Sequence, residues 1–136
     1  MSAKNILLVD DSEIDNFIHE TLLKKLDVVG SITVKISGGA ALEYLKELRG
    51  NTPQFPDIIF LDIRMPVMDG FAFMDAYRQL FPAATKPCRV YMLSSSLDPG
   101  DRERAAQYHE VCGFLSKPLA HQPYEDIIGG AAPALR

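Results

Sequence analysis

The chain has 136 residues, of which 47% are hydrophobic and 24% charged, with a formal net charge of −4. That is enough sequence to bury one core, and the acidic balance without any basic stripe argues against a nucleic-acid binder. No apolar run approaches the ~20 residues that span a bilayer, and Asp10 and Asp11 interrupt the N-terminal apolar run far too early for a secretory leader, so the cytoplasm is the expected location.

Residues 6–9 (ILLV) form the first expected strand, apolar throughout and therefore buried on both faces. Ser12 is an N-cap candidate for a helix whose apolar positions are Ile14, Phe17, Ile18, Leu22 and Leu26, and Asp15 forms a shortened capping box with Ser12. Residues 32–36 alternate apolar and polar, as an edge strand does. Ala41, Leu42, Leu45 and Leu48 mark a second helix closed by Gly50. Residues 58–61 are a second buried strand, and Phe71, Met74, Tyr77 and Phe81 mark a third helix. Residues 90–93 and 111–115 read as further buried strands. Between them Asp98 and Pro99 start a fourth helix, which has only Ala105, Ala106 and Tyr108 to bury and should sit largely exposed. A last helix begins near Pro123 with Tyr124, Ile127 and Ile128, and 129–136 reads as a fraying tail.

Cys88 and Cys112 lack metal or redox spacing and are expected as free thiols; His19, His109 and His121 are expected at the surface. The alternating order predicts an α/β fold, a doubly wound five-stranded parallel sheet with helices on both faces, in one domain over 1–136 with its core at about 4–128. Any site then belongs at the carboxyl ends of the strands.

Asp10, Asp11, Asp62, Ser94 and Lys117 stand at those ends. Each alone reads as a turn former, a cap or a surface lysine. Together they are chemically coherent. Three crowded carboxylates repel unless a cation neutralises them, one lysine is insufficient, and Mg²⁺ suits an oxygen-rich site that keeps water ligands, with Mn²⁺ able to substitute. A metal, a lysine and a hydroxyl around one carboxylate suit phosphoryl transfer with that carboxylate as nucleophile.

ILLVDDS, LDIRMPVMDG, the hydroxyl after YML, and the Lys-Pro of GFLSKPL together resemble the receiver domain of two-component response regulators, with a (βα)5 flavodoxin-like fold, in its stand-alone chemotaxis-type form. The resemblance runs from about Lys4 to about Ile128. It implies Asp62 as phosphoacceptor, and Mg²⁺ held by Asp11, Asp62 and the Arg64 carbonyl with Asp10 acting through the metal's water. It also implies Ser94 as switch hydroxyl, Lys117 as phosphate-binding residue, and a cis Lys117–Pro118 bond. Phe114 occupies the switch-aromatic position, although a phenylalanine there also fits plain core packing. The run Ser94-Ser95-Ser96 leaves a one-residue ambiguity in the hydroxyl, settled for Ser94 because it directly follows the strand. Arg64 and Ser96 occupy the positions that set the lifetime of the phosphoryl group. Neither is the acid or amide that best orients water, so self-hydrolysis is not expected to be of the fastest kind.

The implied function is a phosphorylation-activated receiver that takes its phosphoryl group from a sensor histidine kinase or histidine phosphotransfer protein. It would dock the donor along Ile14, Phe17 and Ile18, although most of these side chains are expected to pack inward on the sheet. It would signal to a protein target through the face formed by 96–109, the Phe114 strand and the last helix. A phosphate sink or phosphorelay intermediate is the alternative. An aspartate-nucleophile phosphatase lacks its second acid, because Arg64 stands there, and a flavodoxin-type FMN carrier lacks its phosphate loop. No enzyme activity beyond the domain's own phosphorylation and slow dephosphorylation is expected, and no nucleic-acid or membrane partner.

Overall fold

A computed structural model describes residues 4–26, 29–81, 88–95 and 98–117. The elements in chain order are β1 (Lys4–Val9), α1 (Glu13–Leu23), β2 (Val29–Lys35), α2 (Gly38–Glu47), β3 (Ile58–Asp62), α3 (Gly70–Leu80), β4 (Arg89–Ser94), α4 (Pro99–Ala105) and β5 (Val111–Ser116). The expected last helix, the tail, Ser96, His121 and Pro118 lie outside the described residues.

All strand pairs are parallel, in the order β2-β1-β3-β4-β5. The expected α/β fold class is thus observed, with β2 at one edge. The chain runs from β1 outward to β2, then crosses back to place β3 on the other side of β1. This reversal puts the ends of β1 and β3 beside each other at a crevice.

Alternation along the strands divides the core into two layers. Leu7, Val9, Ile59, Leu61, Val90 and Met92 face α2, α3 and the α4 side, where Leu45, Phe71, Met74 and Tyr77 pack. Ile6, Leu8, Ile58, Phe60, Tyr91 and Leu93 face the other way, where Leu23 of α1 packs. Helix starts follow the capping residues: Ser12, Ser37, Asp69 and Asp98 each accept a backbone N–H from the first turn.

Helix α1 departs from the sequence reading. Ile14 and Phe17, expected to pack inward, are 73% and 71% exposed, while Asn16, His19 and Leu23 are buried. The inward spacing 16, 19, 23 is as helical as the apolar one. Polar residues win it because the helix starts at the acidic rim, where they have work to do. His19 is therefore not the surface residue expected, being only 1% exposed, whereas His109 is exposed as expected. Ile36 falls past the end of β2 and is exposed rather than part of an edge strand. Cys88 and Cys112 are free and half-buried.

Candidate phosphoacceptor site

The buried β1 ends by delivering Asp10 and Asp11 to the rim, and β3 ends on Asp62. Asp10 and Asp62 are buried, Asp11 is exposed, and one carboxylate oxygen from each lies within 4.8 Å of the others. Such a cluster of hard oxygen ligands, open on the Asp11 side, fits a divalent cation that keeps part of its water shell.

Lys117, just past β5, is the cation the sequence supplies. Its Nζ lies 2.7 Å from Asp10 Oδ2, 3.1 Å from Asp62 Oδ1 and 3.1 Å from Asp15 Oδ2. Asp10 Oδ2 has this ion pair but no properly angled hydrogen-bond donor among the described residues, so it retains capacity for a metal-bound water. Its other oxygen accepts the Ser12 N–H at 2.9 Å, and its carbonyl accepts from Asn16 Nδ2 at 2.8 Å.

Burial, then the charge of Asp10, pushes the Asp62 carboxyl up to about 6, against the opposing pull of Lys117. Burial alone would lower Lys117, but the close Asp10 carboxylate and the charge of Asp62 outweigh it, so its pKa is raised. The site is under electrostatic tension, since Lys117 is shared by the carboxylates of Asp10, Asp15 and Asp62 with Asp11 beside them.

Ser94, fully buried at the end of β4, is in this neighbourhood through the backbone: its carbonyl accepts the Lys117 N–H at 2.9 Å. The β4 strand also anchors the loop after Asp62, because Leu93 O accepts the N–H of Ile63 at 3.1 Å. Phe114 is half-buried on β5, with the Arg102 guanidinium of α4 5.8 Å above its ring.

The loop after Asp62 owes its shape to two residues. A Cβ on Gly70 would meet Asp62 O at 2.9 Å and Ile63 Cα at 3.0 Å, so only glycine lets α3 begin against the end of β3. Val67 has φ +70°, and Met68 N–H donates to Pro66 O at 2.7 Å, forming a tight γ-turn of the strained hand. Val67 is also fully exposed. Arg64, on the same loop, carries its guanidinium to Asp101 in the first turn of α4, forming an ion pair.

Sequence reasoning missed Asp15, Asn16 and Asp101. Asp15 was assigned to a capping box with Ser12, yet only half of that box forms. Ser12 Oγ accepts Asp15 N–H at 3.2 Å, but the Ser12 N–H is taken by Asp10 and the Asp15 carboxylate turns to Lys117. The signal available was the helical spacing of Asp15, Asn16 and His19 from the paired acids.

The family model for the response regulator receiver domain matches residues 6–128. The chain is 30% identical over 122 residues to the probable methanogenesis regulatory protein FilR2 of Methanothrix harundinacea, covering 90% of this chain and 75% of that one. It is 31% identical over 120 residues to the aerobic respiration control sensor protein ArcB of Escherichia coli, covering 88% of this chain but only 14% of ArcB. A crystal structure of a two-component response regulator from Cytophaga hutchinsonii superposes with a TM-score of 0.81 at 32% identity, over 96% of this chain and 98% of that one. No helix among the described residues is long and apolar enough to cross a membrane. With the match spanning nearly the whole sequence and the five-stranded parallel sheet carrying its acids at one rim, this chain belongs to the response regulator receiver domain family, the phosphorylation-activated modules of two-component signalling.

Proposed function

We propose that Asp62 accepts a phosphoryl group from a phosphohistidine on a sensor histidine kinase or a histidine phosphotransfer protein in the cytoplasm. The observation that carries this reading is the position of Lys117 Nζ, in reach of both Asp10 and Asp62 beside the exposed Asp11. A carboxylate oxygen of Asp62 attacks phosphorus, the donor's N–P bond breaks, and the imidazole leaves with the electron pair. In the reverse arm water attacks phosphorus, the Asp62 O–P bond breaks, and inorganic phosphate departs with the carboxylate restored.

Asp11, Asp62 and the Arg64 carbonyl would hold Mg²⁺ or Mn²⁺, with Asp10 acting through a water. Bound there, the ion neutralises the clustered carboxylates and the incoming phosphoryl oxygens. Lys117 holds phosphoryl oxygens as a point charge, and it keeps Asp62 ionised despite the burial that favours its protonated form. Ser94 supplies a hydroxyl to another phosphoryl oxygen and draws the β4–α4 segment inward. The exposed α4 and Phe114 of β5 then carry the change to a protein target. Transfer to Asp62 is stoichiometric rather than a turnover activity.

The exposed Ile14 and Phe17 on α1 suit the donor's docking surface, since neither is spent on the core.

Incubation with acetyl phosphate and Mg²⁺, followed by intact-mass measurement, tests the reading. The wild type should gain one phosphoryl group and Asp62→Asn none. Equal labelling of both proteins, or sustained hydrolysis of p-nitrophenyl phosphate, would contradict it.

A further inference from the structure

Arg64 stands two residues beyond Asp62, on the loop that leaves β3, and its guanidinium is not directed at the acidic cluster. It pairs instead with Asp101, whose side chain is 12% exposed at the start of α4, while the Arg64 side chain is 56% exposed. Asp101 and Ala105 are the buried residues of α4, so this ion pair joins the acceptor loop to one of the helix's inward-facing anchors. Two residues of extended chain span at most about 7 Å, and an arginine side chain reaches as far again, so Arg64 can serve either Asp101 or a group on Asp62.

We infer that Asp101 is a positioning residue that holds Arg64 away from the acceptor in the resting protein, and that a phosphoryl group on Asp62 competes with Asp101 for the same guanidinium. The inference rests on Asp62 being the phosphoacceptor. A dianionic phosphoryl group offers the planar guanidinium of Arg64 two acceptor oxygens with more charge than a carboxylate. When Arg64 transfers, Asp101 is left on α4 as a buried carboxylate without its cation. The helix start, held otherwise by the Asp98 cap and Ala105, must shift to solvate it. Charge arriving at β3 is thereby converted into movement of α4 through one shared side chain. Binding at the acceptor and release of α4 are reciprocal, so loosening the latch must tighten the acceptor.

The experiment is calorimetric titration with beryllofluoride and Mg²⁺ of the wild type, Asp101→Asn, Arg64→Ala and the double variant. Asp101→Asn, which releases Arg64 in advance, is expected to tighten beryllofluoride binding by about fivefold. In the Arg64→Ala background the same change is expected to have no effect, which a merely structural role of Asp101 would not produce. An unchanged affinity in Asp101→Asn, or an equal gain in both backgrounds, overturns the inference. Because Asp101 is also a buried residue in the first turn of α4, the guanidinium NMR signal of Arg64 in the wild type provides a readout without any variant. It should shift on beryllofluoride loading, and a signal that stays in place overturns the inference. Failure of the wild type to bind beryllofluoride at all, or undiminished binding by Asp62→Asn, overturns the phosphoacceptor reading and this inference with it. Binding that depends on Asp62 but lacks coupling to Asp101 overturns this inference alone.

Discussion

Asp15 Oδ2 accepts a hydrogen bond from Lys117 Nζ at 3.1 Å, joining the first turn of α1 to the end of β5 across 102 positions of sequence. Asp15 is thus a third carboxylate on a lysine already shared by Asp10 and Asp62. Removing it leaves Lys117 paired, so Asp15→Asn should cost about 1 kcal/mol. Lys117→Met instead strands buried acids and should cost about 3 kcal/mol in metal-free buffer. Urea denaturation of the two variants measures the difference; an equal cost for both would show that Asp15, and not the rim pair, carries the interaction.

Asp62 gives the metal-free protein a particular pH dependence. Its carboxyl, ordinarily near 3.8, titrates at about 6 in the folded protein, so between those values the folded state binds the proton more tightly than the unfolded one. Stability from this group is therefore present at the acidic end and is lost as pH rises through the window. Asp62→Asn should remove that loss and raise stability at pH 7 by about 1 kcal/mol. Mg²⁺ should stabilise the wild type at pH 7 and do much less for the variant. Thermal melts at pH 4.5 and 7, with EDTA or Mg²⁺, check both statements.

His19 works with the opposite sign. Burial lowers its pKa, against the charges of Asp10 and Asp15, so the unfolded chain takes up a proton that the folded one resists. Its contribution is present above pH 6.5 and is lost on acidification. His19 Nε2 also has no hydrogen-bond partner among the described residues. His19→Leu should gain about 1 kcal/mol and lessen the acid loss below pH 6.5. A loss of stability at pH 7 would show that the imidazole is satisfied.

Val67 holds a backbone conformation that β-branched residues rarely take, and it packs on nothing. Val67→Gly should raise the melting temperature by several degrees, corresponding to about 1 kcal/mol, because the relieved strain exceeds the added freedom of the unfolded chain. A lower melting temperature would mean that the turn is not strained.

Gly70→Ala should act in the opposite direction. The added methyl meets the backbone of Asp62 and Ile63, which cannot swing aside as a side chain would. A loss of about 2 kcal/mol is expected, together with weakened metal binding at Asp62. A variant as stable as the wild type in urea would show that α3 retreats freely.

The strands were legible because β1, β3 and β4 are buried on both faces and their apolar runs have no competing explanation. The rim acids and Lys117 were legible because strand ends point to one edge whatever the details of packing. Helix α1 was misread because Ile14 and Phe17 satisfy helical spacing as well as Asn16 and Leu23 do, and hydrophobicity was allowed to decide between the two faces. The rim reversed that choice: Asn16 reaches the Asp10 carbonyl and Asp15 reaches Lys117, bonds whose partners lie across the fold. Asp101 was invisible for the same reason, since a charged residue in a helix's first turn is already explained by the helix dipole. Long-range polar pairs leave no periodic mark.

The outward turn of Ile14 and Phe17 separates two kinds of change that most helices combine. On a helix packed by its apolar face, altering the residues a partner would touch also alters the core. Here Ile14 and Phe17 can be exchanged at little cost in folding free energy, because Leu23, Asn16 and His19 keep the helix in place. Such a surface can diverge between duplicated copies of the domain faster than the fold that bears it. Insulation of one signalling pair from another would then be a matter of a few exposed positions on α1.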